Sequence, residues 1–98
     1  MDIAALQSEI DEVSVILYQN REQEALQAAG ELFGKLKIIT DALISGKAGE
    51  NQEIVLYVSA MYQTLYAAYE RKDMLGIADC LQEYAMLATE LYREMIGG

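Results

Sequence analysis

The stretch DIAALQSEIDEVSVIL, residues 2–17, sets Ile3, Leu6, Ile10, Val13 and Leu17 at intervals of three, four, three and four, with Asp2, Glu9, Asp11 and Glu12 flanking that seam. A helix returns to one face about every 3.6 residues and a strand every second residue, so this rhythm predicts an α-helix packed lengthwise on neighbours. The same rhythm recurs downstream in Leu26, Ala29, Phe33, Leu36 and Leu43, with Thr40 filling one seam place and Ile39 widening the stripe. Gly46, after Ser45, is expected to close that helix in the left-handed conformation. Asn51 then reads as an N-cap for a third segment whose stripe is Ile54, Val58, Met61, Leu65 and Ala68. Asp73 reads as the cap of a fourth, with Ile77, Leu81, Tyr84, Ala88, Leu91 and Met95 facing inward and Gly97-Gly98 as the stop.

Nothing alternates with period two and the chain has no proline, so no strand is expected. Asn20 followed by Gln23 has the capping-box pattern, which predicts a turn between the first two helices, the other reading being one continuous helix. A shift of fifty-one positions lays Tyr18 on Tyr69, Arg21 on Lys72, Glu22 on Asp73, Phe33 on Tyr84 and Leu36 on Leu87. These pairs agree in type and favour two similar helical hairpins, residues 2–45 and 52–96, joined by the loop Gly46-Lys47-Ala48-Gly49-Glu50. Short connections make successive helices antiparallel, so the expectation is one all-α domain over residues 1–98, an antiparallel up-down-up-down four-helix bundle.

Composition narrows the chemistry. The 98 residues include no His, no Trp and a single Cys, and sixteen acidic side chains against seven basic ones leave a net charge of −9. Imidazole and thiolate carry most metal ligation and proton transfer near neutral pH, so no metal, cofactor, small-molecule substrate or catalytic residue is expected, and the chain is read as not an enzyme. Cys80, beside Ile77, Leu81 and Tyr84, reads as a small core hydrophobe rather than a nucleophile. The negative charge repels phosphate backbones and anionic lipid, so neither nucleic acid nor membrane is an expected partner. The longest uncharged run, the sixteen residues from Ile54 to Tyr69, is shorter than the ~20 that span a bilayer. Met1-Asp2-Ile3-Ala4 lacks a secretory leader's basic start, and with one cysteine the expected location is cytoplasmic.

Six of the seven tyrosines lie in the second half, and Tyr62, Tyr66 and Tyr69 fall on one line of the third segment beside Val55. A helix of a four-helix bundle ordinarily buries one face, so this second stripe widens the core edge, lies under the long loop or meets another chain. Tyrosine suits a boundary because its ring packs while its hydroxyl stays wet. Val55, Tyr62, Tyr66 and Tyr69 are therefore the candidate partner-binding residues, for an apolar helix of another protein or for a second copy in a homodimer. The first and fourth segments hold most of the unbalanced acidic residues and would form an acidic side.

Leu65-Tyr66-Ala67-Ala68-Tyr69-Glu70-Arg71-Lys72-Asp73, with Leu75, Leu81 and Leu87 after it, resembles the third-to-fourth helix junction of the flagellin export chaperones, which carry a Leu-x-x-Ala-x-x-x-x-Asp pattern there. Ala25, Ala29, Leu36, Ile39 and Leu43 look like that family's second helix, so the likeness covers most of residues 20–92. It implies a cytoplasmic antiparallel helical bundle that binds the apolar carboxy-terminal region of flagellin and prevents polymerisation before export. The chain differs from the family pattern in having no proline at the entry to the first helix and no tryptophan near the end, and in the place of Tyr57-Val58.

Overall fold

A computed structural model of the chain describes residues 2–46 and 50–97. Four helical rods make up these residues: α1 (Ile3–Tyr18), α2 (Glu22–Ser45), α3 (Gln52–Glu70), and a last rod formed by α4 (Met74–Cys80), a π-helical segment (Leu81–Ala85) and α5 (Met86–Gly97). Among the described residues there is no strand.

The seams expected from periodicity are largely the core. Ile3, Leu6, Ile10, Val13 and Leu17 of α1 are buried, as are Val58, Met61, Leu65 and Ala68 of α3. Ala29, Phe33, Leu36, Ile39, Thr40 and Leu43 line the buried side of α2, joined there by Ala25 and Leu32. In the last rod Ile77, Leu81 and Ala88 are buried, whereas Tyr84, Leu91 and Met95 are half-buried. Asn51 and Asp73 cap their helices as expected, accepting from the backbone N–H of Glu53 and Gly76 at 2.9 Å each.

Three local expectations are corrected. Asn20 is not an N-cap: it takes the left-handed conformation (φ 58°), Arg21 precedes α2, and no side chain caps that helix. Asparagine tolerates this region better than most residues, which is why the turn needs no glycine. Gly46 does end α2 but in an extended conformation (φ −92°, ψ −163°), its N–H donating to Ala42 O at 3.1 Å. The register between hairpins is fifty-two rather than fifty-one. Gln19, Asn20 and Arg21 match Arg71, Lys72 and Asp73 in backbone angles, with left-handed φ of 58° and 54° at the middle residue. That register places buried Leu36 on buried Ala88, whereas fifty-one had placed it on exposed Leu87. Residues 47–49 of the expected loop, and Gly98, lie outside the described residues.

Three buried hydroxyls fasten rod to rod by one device. Ser14, Thr40 and Thr89 each donate to a carbonyl of their own helix, Ile10, Leu36 and Met86 respectively. Each then receives a partner from a neighbouring rod: Gln82 for Ser14, Gln7 for Thr89, and Tyr62 for Thr40. A buried hydroxyl left unpaired costs about 1–3 kcal/mol, and here none is. The rods are not evenly pressed together. α1 packs along α2 and the last rod, and α3 along α4, but α2 and α3 meet sparsely although they are consecutive. α2 leans on α1 and α5 instead, and a gap opens on its α3 side.

Candidate partner-binding surface

The gap between α2 and α3 is a groove of about 390 Å³. Thr40 and Ile44 line it from α2, and Val58, Ser59, Tyr62 and Tyr66 line it from α3. Lys37 and Asp41 stand on its α2 rim 3.6 Å apart, an exposed pair that leaves the rim without net charge.

An aromatic chain crosses from α3 to α2. Tyr62 and Tyr66 stack with ring centres 5.7 Å apart; Tyr66 meets Phe33 edge-on at 5.8 Å, and Phe33 meets Tyr69 at 5.6 Å. Such offset or edge-on pairs are the favoured arrangements of ring quadrupoles. Phe33 is buried, Tyr62 and Tyr69 are half-buried, and Tyr66 remains 48% exposed. The row therefore divides. Tyr69 is committed to the fold, its hydroxyl donating to Leu26 O at 3.4 Å, and Tyr62 is fixed by its hydroxyl 2.7 Å from Thr40 Oγ1. Either hydroxyl can donate in that pair, the Thr40 Oγ1 lying also 3.0 Å from Leu36 O. Burial pushes the Tyr62 hydroxyl up to about 12, so it stays protonated at neutral pH.

Of the four residues picked from sequence, Tyr62 and Tyr66 form the groove wall, Tyr69 lies at the end of the aromatic chain, and Val55 is half-buried on α3 outside the wall. Ile44 and Ser59 belong to no stripe, so spacing does not mark them. Tyr57, off the tyrosine line, has a distinct role. The π-helical turn displaces the regular carbonyl acceptors of the last rod, and the Tyr57 hydroxyl donates to Tyr84 O at 3.1 Å and Glu83 O at 3.3 Å. Burial pushes the Tyr57 hydroxyl up to about 12 as well.

Cys80 is buried with its Sγ 3.7 Å from Met61 O, and burial pushes the thiol up to about 11, far from a reactive thiolate near neutral pH. Among the described residues no three His, Cys, Asp or Glu side chains converge as a metal set, and no helix is long and apolar enough to cross a membrane. The chain matches no family model, no curated protein and no solved structure. The residues behind the chaperone resemblance have structural roles of their own: Leu65 and Ala68 are buried, and Asp73 caps α4.

Proposed function

We propose that this chain is a non-enzymatic helical binding protein that holds an apolar helical segment of a partner protein between α2 and α3. The observation that carries the reading is the sparse contact of two consecutive helices across a groove whose wall is the stacked pair Tyr62 and Tyr66. Ring faces and Ile44 offer apolar area, and the Ser59 and Tyr62 hydroxyls offer polar contacts; that suits an apolar helix with an occasional polar side chain. The four rods run up-down-up-down as an antiparallel bundle. Bonds joining Gln7 to Glu90, Ser14 to Gln82 and Tyr18 to Asp79 step in opposite senses along α1 and the last rod. Bonds from Thr40 to Tyr62 and from Leu26 to Tyr69 do the same along α2 and α3. On this reading the protein works in the cytoplasm in the manner of a flagellin export chaperone, shielding an oily segment until it is handed on.

A second copy is the alternative occupant, favoured by one feature: Lys37 and Asp41 leave the groove rim without net charge, so like-charge repulsion does not oppose a homodimer there. Sedimentation across concentrations tests the pair of readings. A monomer at all concentrations supports a foreign helix, and a dimer dispersed by Tyr66→Ala supports self-association.

A further inference from the structure

A larger furrow, about 740 Å³, runs between α1 and the last rod on a face separate from the tyrosine groove. We propose that it docks a Lys- or Arg-flanked amphipathic helix of another protein.

Ala4 from α1 and Met86 and Leu87 from the last rod give it apolar area, beside Gln7 and Gln82, whose amides bridge the two rods through Thr89 and Ser14. Leu87 is 48% exposed, a large side chain in a furrow with nothing over it. The strip continues beyond the furrow on both rods. Ala4, Ser8, Asp11, Val15 and Tyr18 follow one another on α1 at helical spacing, as do Leu75, Asp79, Glu83 and Leu87 on the last rod, with Val15 and Leu75 more than half exposed. Tyr18 and Asp79 close its far end with a hydrogen bond of 3.1 Å. The span from Ala4 to Val15 is about 16 Å, three turns of a helix, enough to seat a short partner.

Charge selects the occupant. Asp11, Glu83 and Glu90 line the furrow, and no Lys or Arg does. Arg93 is the nearby cation, and its guanidinium is taken by Glu90 Oε1 at 3.3 Å and Gln7 Oε1 at 3.1 Å. The Asp11 carboxylate accepts from Gln82 Nε2 at 3.0 Å, and among the described residues neither it nor Glu83 forms an ion pair. A second copy, itself at −9, would set carboxylates against carboxylates, and nucleic acid or anionic lipid would be repelled likewise. Exposed apolar side chains, Leu87, Val15 and Leu75, interspersed with the carboxylates of Asp11 and Glu83 are the complement of a helix that carries leucines and lysines or arginines on the same face.

The test uses two labelled synthetic helices, one of Leu and Lys and one of Leu and Glu, titrated into the full chain with anisotropy and amide chemical-shift mapping. The Leu/Lys helix is expected to bind saturably, to move amides of α1 and the last rod around Asp11, Glu83 and Leu87, and to weaken about tenfold when salt is raised from about 0.05 to about 0.3 M. Leu87→Ser and Glu83→Gln, both at exposed positions and checked for unchanged helicity, should each weaken it several-fold, whereas Tyr66→Ser should not. The Leu/Glu helix should not bind. Absence of saturable binding overturns the proposal, as do shifts centred on α2 and α3. Salt-sensitive binding indifferent to Leu87→Ser also overturns it, because that is general attraction to an acidic protein. None of these outcomes bears on the tyrosine groove unless the shifts fall there.

Discussion

The Thr40 and Tyr62 hydroxyls lie 2.7 Å apart, and theirs is the one side-chain-to-side-chain hydrogen bond between α2 and α3 among the described residues. It fixes the separation of the groove walls. Thr40→Val and Tyr62→Phe should each lower stability by about 1 kcal/mol, and the double variant by less than the sum, since either change alone breaks the same bond. A urea-melt double-mutant cycle measures the coupling, expected at about 0.5–1.5 kcal/mol.

Alkaline pH should loosen the fold in a defined window. Tyr57 and Tyr62 are held up at about 12 in the folded chain against 10.0 in an unperturbed tyrosine, chiefly by burial. Between those values the unfolded chain has released these protons and the folded chain has kept them, so stability falls as pH rises. Below pH 10 their contribution is fully present. Cys80, held up at about 11 against 9.0 for a free thiol, adds a loss of the same sign from pH 9, so urea midpoints should hold steady up to about pH 9 and decline above it, and Tyr62→Phe should make the decline above pH 10 shallower.

Gly76 faces the carboxylate that caps its own helix. A Cβ there would sit 2.5 Å from Asp73 Oδ2, and the cap bond to the Gly76 N–H is 2.9 Å. Alanine in a helix ordinarily gains about 1 kcal/mol over glycine, but Gly76→Ala should be neutral or destabilising because it displaces the cap. In the Asp73→Ala background, which itself costs about 1 kcal/mol, the same change should stabilise. A reversal of sign between backgrounds in thermal melts is the expected signature.

Lys72 occupies a backbone region that side chains disfavour, with φ of 54°. Lys72→Gly should raise stability by about 0.5–1 kcal/mol, since the relief of left-handed strain exceeds the loss of the exposed Lys72–Glu22 pair at 3.4 Å. Asn20, at the matching place in the first hairpin with φ of 58°, should gain less from the same change.

Periodicity made the helices and most of the core legible, because burial on a rod follows spacing: α1 buries the seam read from Ile3 to Leu17, and α3 buries the one read from Ile54 to Ala68 except for its half-buried first member, as α2 does for the seam headed by half-buried Leu26. Ala78 and Ala85 stand outside the seams, their small side chains giving little hydrophobic signal, yet they are buried. The turn at Asn20 lies where the capping-box pattern predicts one, but Asn20 forms it as a left-handed link and not as a cap, since a polar residue three places before Gln23 fits both and backbone angles decide between them. The fifty-one register followed from matching residue types, which helical spacing tolerates at neighbouring offsets. Tyr62 and Tyr66 were legible as a stripe. That α2 would lean toward α5 and leave a groove beside them depends on packing among all four rods, which no single segment encodes. The π-helical turn, held by the Tyr57 hydroxyl, leaves no composition signal either.

The most direct measurement places a photo-crosslinking amino acid at position 66, on the exposed ring of the groove wall, with a second variant at exposed Glu31 as reference, and identifies what is captured in the native cell. The account predicts one foreign chain joined at 66 through an apolar helical segment and absent from the Glu31 sample. Capture of this chain alone, or the same weak set of proteins from both positions, would contradict it.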